Sequence, residues 1–279
     1  MSVIPIVASF GGGLIGALIG GLPAFIFAGF IGLVGVGIIA AGGPDIILNH
    51  VVFGTMFGPH IAFAGGIAAA AFAANKKKAL ESGMDILHSP STIKNDPSVL
   101  LVGGVFGIIG FLVNELFVYI NAPVDTVAAT VFVSAILTRF IFGNSGLVGN
   151  TKPEGVDKRK YIDGGKTLGF ILLYSFGVGV VTSYIVDLTQ IEVFGFVVSA
   201  ALLIFLQAGF NIPCTHHITL VAGYATIATG SVIVGAIFAV IAGIIGNIVE
   251  RTFNSYCDTH IDPPATTIFI CSFFIFTLL

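Results

Sequence analysis

Charge is what this sequence has least of. Only 9% of its 279 residues are Asp, Glu, Lys or Arg, against roughly 25% in a soluble domain, and mean hydropathy is +1.06. That shortage excludes a water-soluble globular chain and points to a membrane protein; the net charge of -3 adds little. Cysteine is scarce too. Cys214, Cys257 and Cys271 stand at no metal-like spacing, so neither a disulfide framework nor a zinc signature is written here. No GKS or GKT follows Gly11-Gly12-Gly13, and the one GKT, at 165–167, has Lys160 where a phosphate loop needs its first glycine; no HExxH is present. The basic residues fall in short loops without interleaved aromatics, so no nucleic-acid partner is expected. The first apolar run lacks a positive n-region and outlasts a signal peptide, so it reads as a membrane anchor rather than a cleaved leader.

What the sequence does have is glycine, 37 of them, suited to close helix packing where lipid supplies no hydrophobic drive between helices. A crossing needs about 20 mainly apolar residues. Cutting the chain at glycine, proline and charge clusters gives ten blocks: 3–20, 23–41, 44–75, 98–120, 125–142, 167–187, 191–209, 213–230, 231–253 and 262–279. The third is too long for one straight crossing. Its Gly42-Gly43-Pro44 beginning and its Gly58-Pro59 step predict a discontinuous or re-entrant helix, because proline removes a helix donor and crowds the preceding turn.

The basic residues fix an orientation. Lys76, Lys77, Lys78 and Lys94 follow the third block, Arg139, Lys152, Lys158, Arg159, Lys160 and Lys166 surround the gap after the fifth, and Arg251 ends the ninth. Ten crossings with both termini outside put all of them in the cytoplasm, as the positive-inside rule demands. A plasma-membrane location is the expectation.

Six landmarks then recur in one order. The first half carries Gly29-Phe30, Pro44, His50, GIIG at 107–110, Glu115 and Asp125; the second carries Gly195-Phe196, Pro213, His217, GIIG at 243–246, Glu250 and Asp262. The spacing from glycine to histidine agrees within one residue, and the largest difference is the polar stretch 76–97, read as a loop insertion. Five crossings per half would invert the second half relative to the first. The expected fold is therefore an all-α integral membrane protein of about ten transmembrane helices in two inverted five-helix repeats, 1–142 and 167–279, joined by a cytoplasmic linker at 143–166. This is the plan of many secondary transporters.

Candidate residues come from the landmarks. Pro213 after Asn211 reads as a helix start, matched by Gly43-Pro44-Asp45, so His50 and His217 would each sit in a first turn. There, unpaired N–H groups and the positive end of the dipole favour an anion or electron-rich oxygen. Asn49, His50, Thr215, His216 and His217 are the candidate solute-binding residues. The plainer reading, histidines bridging helices by hydrogen bonds, competes with the rule that intramembrane ionisable groups are costly and functional. His88 belongs to the polar loop, and His60 and His260 lack repeat partners, so none of the three is assigned. Glu115, Asp125, Glu250 and Asp262 are candidates for gating or proton coupling, with helix capping the alternative for the aspartates.

The function expected is a transporter or permease moving a small polar or anionic solute by alternating access. The alternatives are a passive channel of the same symmetry, a transition-metal transporter using Cys214, His216 and His217, and an intramembrane enzyme; no cofactor is expected. Its partners would be that solute or ion, the bilayer, and further copies of the same chain.

Overall fold

A computed structural model describes residues 2–92, 94–156 and 158–279, and every named element in them is helical. In chain order these are α1 (Val3–Ile19), α2 (Gly21–Ala40), two π-helical turns (Leu48–Val52 and Pro59–Phe63), α3 (Ala64–Asn75), α4 (Pro97–Tyr119), α5 (Thr126–Phe142), α6 (Gly165–Thr189), α7 (Phe194–Leu202), α8 (Ile204–Gln207), α9 (His216–Thr229), α10 (Val232–Phe253) and α11 (Pro263–Leu278). Among the described residues α2, α4, α6 and α10 are long and apolar enough to cross a membrane; α1, α5 and α11 are apolar but shorter.

Helix ends follow local chemistry. Asp96, Asp125 and Asp262 each accept a first-turn N–H, from Ser98 (2.9 Å), Ala128 (2.8 Å) and Ala265 (2.7 Å), the stabilising arrangement at an N-cap. Gly20 turns α1 into α2 with φ +102°, a conformation that only glycine adopts without strain. The third apolar block breaks at Gly58-Pro59 as its sequence predicts. The seventh breaks too, between α7 and α8. Pro213 is not the first residue of a helix: α9 starts at His216, and the Thr215 hydroxyl before it bonds Ser199 on α7 (2.6 Å) rather than capping the helix.

In the first half α1 packs on α3 and α4, α3 on α4 and α5, and α4 on α5. In the second α6 packs on α9 and α10, α9 on α10 and α11, and α10 on α11. Between the halves α2 lies against α7 and α8, and α5 against α11. Small residues make the close crossings. A methyl on Gly110 would strike the His60 carbonyl, and one on Gly246 would meet the His217 ring.

The segments that carry the basic residues share one face. Asn75 donates to the Asp258 carbonyl (3.1 Å), Gly83 pairs with Thr259, and the Asp258 carboxylate accepts from the Asn144 amide (2.7 Å) and the Ser145 hydroxyl (2.7 Å). Arg251 holds Asp163 (2.6 Å), keeping that carboxyl below its ordinary value. Buried Arg139 donates to the carbonyls of Leu147 (2.6 Å) and Phe253 (2.7 Å) and to both oxygens of Thr259. Buried Arg159 donates to the carbonyls of Val148, Asn150, Arg251, Thr252 and Ser255. Loop 76–97 folds back over the α1–α2 junction, where Leu22 donates to the Ile86 carbonyl (2.8 Å).

Two outcomes follow. Gly110→Ala should lower stability by about 1–3 kcal/mol through overpacking. Gly177→Ala, where a methyl meets nothing, should be neutral or stabilise by up to about 1 kcal/mol; thermal melts in detergent compare the two. The hydroxyl of Ser98 and the ammonium of Lys77 (3.0 Å) hold the Asp96 carboxyl down, from 3.8 to about 2. Its contribution is therefore complete above the ordinary value and lost as pH falls through the lower one. Melts from about pH 5 to about pH 2 should fall less steeply for Asp96→Asn than for the parent, and parallel curves would exclude this contribution.

Candidate functional site

A cavity of about 880 Å³ lies where the halves meet, lined from α2, α5, α7, α9, α10 and α11 and closed on one side by Met84, Ile86 and Leu87 of the polar loop. Volumes of this order accommodate small-molecule ligands. Its surface is mainly apolar, with Phe, Leu, Ile and Val prominent in the lining, but five carboxylates, three histidines and several amide and tyrosine side chains also line it.

One polar group gathers at the start of α9. His216 and His217 line the cavity, are 6% exposed each, and leave Nδ1 buried without a hydrogen-bond partner among the described residues. The His216 ring packs on Phe25 (centroids 4.7 Å) and edge-on to Phe196 (5.8 Å). Nearby, His260 Nε2 lies 3.3 Å from Asp262 Oδ1 while the other carboxylate oxygen caps α11. A buried imidazole nitrogen without a partner costs free energy, and both rings carry that cost at the cavity wall.

The second group is two turns further along α9, about 12 Å away. The Tyr224 hydroxyl donates to Asp125 Oδ2 (2.7 Å) while Asp125 Oδ1 caps α5 and the Asp125 N–H donates to Ser272 (2.8 Å). Gln190 and Glu192, between α6 and α7, also line this part.

The expected residues divide between the cavity and other surroundings. Asn49, His216, His217, Asp125, Glu250 and Asp262 all line the cavity. Asn49 is held by Asp45 (2.7 Å), and Glu250 accepts from Asn254 (3.0 Å). His50 is not in the wall: it is exposed, in a π-helical turn rather than the first turn of a straight helix. The residue whose backbone packs on the first GIIG, as the His217 ring packs on the second, is His60, ten positions later. Thr215 bonds Ser199 and faces a smaller cavity of about 360 Å³. Glu115 is half-buried on α4, outside the lining. His260, Tyr224 and Glu192 were missed. Tyr224 was within reach of the sequence, seven residues after His217 and hence on the same helix face. Among the described residues no three His, Cys, Asp or Glu side chains converge in a metal-holding group.

These features define a class: an all-helical protein with four bilayer-length apolar helices and a polar-pointed cavity between its halves. The chain belongs to a family of unknown function, DUF7973, which matches it over residues 1–170 and 167–279. No curated protein and no solved structure matches the chain.

Replacing Tyr224 by Phe removes the donor to Asp125 and should cost about 1 kcal/mol, read as a lowered melting temperature in detergent. An unchanged melt would show that the bond contributes nothing.

Proposed function

We propose that the protein is an integral membrane transporter that carries a small polar solute through this cavity by alternating access between two inverted five-helix halves. The observation that carries the reading is the cavity itself, with His216, His217 and five carboxylates in its wall in a chain of which only 9% is charged. Polar groups kept at such cost inside a membrane protein serve a solute or an ion.

Three further observations support the inverted plan. The helix contacts of the first half have counterparts in the second: α1 on α3 and α4 matches α6 on α9 and α10, and α3 on α4 and α5 matches α9 on α10 and α11. The family match divides at 167–170, at the start of α6, where the second half begins. The loops that carry the basic residues touch one another on one face, as a common cytoplasmic side with both termini outward requires. The solute narrows from the sequence-based expectation. The cavity lining carries five carboxylates, Asp45, Asp125, Glu192, Glu250 and Asp262, and among the described residues neither Lys nor Arg, so a neutral or cationic solute fits better than an anion. Asp125, Glu250 and Asp262 are the coupling candidates that remain at the cavity.

The test is uptake of a labelled panel of neutral, cationic and anionic solutes into proteoliposomes. Saturable uptake driven by a proton or sodium gradient is expected, reduced about tenfold or more by His216→Gln or His217→Gln, the loss of roughly one buried hydrogen bond. Linear, gradient-independent flux would assign a channel instead. In intact cells, single cysteines placed at 85 or 155 should resist an impermeant label; labelling there would reverse the topology.

A further inference from the structure

The cavity walls say more about the solute than polarity, granted the transporter reading on which this rests. An anion entering would face only like charge. A polyhydroxylated neutral solute needs paired donors and acceptors on every side, and the walls are mostly hydrocarbon and aromatic. The charged groups of the walls are all carboxylates, with aromatic rings beside them. Asp262 is 7% exposed, with one oxygen committed to the α11 cap and the other in a long 3.3 Å contact. His216 and His217, more than nine-tenths buried, line the same space. Phe25 and Phe196 line it beside His216. A carboxylate amid apolar surface favours an opposite charge within about 4–6 Å, and a cation over a ring face in a desolvated site is held further by the ring quadrupole.

We propose that the cavity binds a small organic cation, a protonated amine on an apolar body, with the ammonium toward Asp262 and the imidazoles and the body against Phe25 and Phe196. An ammonium has donors and no acceptor. It matches a wall whose Asp and Glu side chains are unopposed by Lys or Arg among the described residues, without leaving a group of its own unpaired.

The probe is radiolabelled benzylammonium, with benzyl alcohol and benzoate as neutral and anionic competitors of the same skeleton, measured by equilibrium binding to the purified full-length protein in detergent. Benzylammonium should bind saturably, and both competitors should displace it at least about tenfold less well than unlabelled benzylammonium. Asp262→Asn, which keeps a helix-capping side chain, should weaken amine binding about tenfold or more. Phe25→Leu, removing the ring face while keeping bulk, should weaken it severalfold and serves if the first variant does not fold. Displacement by benzoate or benzyl alcohol as effective as by the amine, or no saturable binding of the amine to folded parent protein, overturns the proposal. Transport is read separately. Amine binding without uptake of any solute keeps the cation site and removes the transporter reading, whereas gradient-driven uptake of a neutral solute by protein that does not bind the amine does the reverse.

Discussion

Every backbone N–H and C=O inside a bilayer needs a partner within the protein, because lipid offers none. In a chain with so few charges, that requirement makes the helices nearly obligatory and gives meaning to the places where they fail. The breaks are concentrated in two regions: the π-helical turns around Pro59, and the stretch between α8 and α9 that ends at Thr215. Both open onto the cavity, through Pro59 in one case and through Pro213, Cys214 and His216 in the other. Irregular backbone at depth is tolerated where it is buried or lines a cavity, so the breaks and the cavity are parts of one arrangement.

The same constraint explains how the glycines and histidines share the interior. Gly110 lets α4 approach the turn that precedes α3, and Gly246 lets α10 approach the first turn of α9. At the first contact the neighbour is a backbone carbonyl of a histidine, and at the second it is the imidazole. One half thus turns a histidine ring out of the helix crossing, and the other half keeps it there, at the edge of the cavity. The open space is correspondingly unequal, drawing far more of its lining from α9, α10 and α11 than from α3 and α4.

The helices were legible because hydrophobic length is a one-dimensional property: eight of the ten apolar blocks match a helix with ends within three residues. The break at Gly58-Pro59 was legible because proline announces itself. The break at Leu203 was not, since neither glycine nor proline marks it. At the site, His216, His217, Asn49, Asp125, Glu250 and Asp262 could be picked out as polar interruptions of apolar runs. His50 was preferred to His60 because spacing was counted from Gly29, whereas the packing is set at Gly110, a contact that spacing along one strand of sequence does not contain. Glu192, His260 and the aromatic walls depend on which helices meet. Local pattern carries no trace of that.

The guanidinium clamps at the basic face have an effect on how the chain is made. Arg139 belongs to the first half, yet its acceptors at Phe253 and Thr259 are supplied by the second, and Arg159 finds three of its five at Arg251, Thr252 and Ser255. During synthesis these residues emerge well after the arginines do. Until α10 has entered the bilayer, both arginines lack acceptors they will eventually bury against, and they stay hydrated at the membrane surface. The first-half helices can form early, but the face that carries Arg139 stays unfinished until residues 253–259 follow. A nascent chain halted before about residue 250 therefore leaves solvated two guanidinium groups that the completed fold buries.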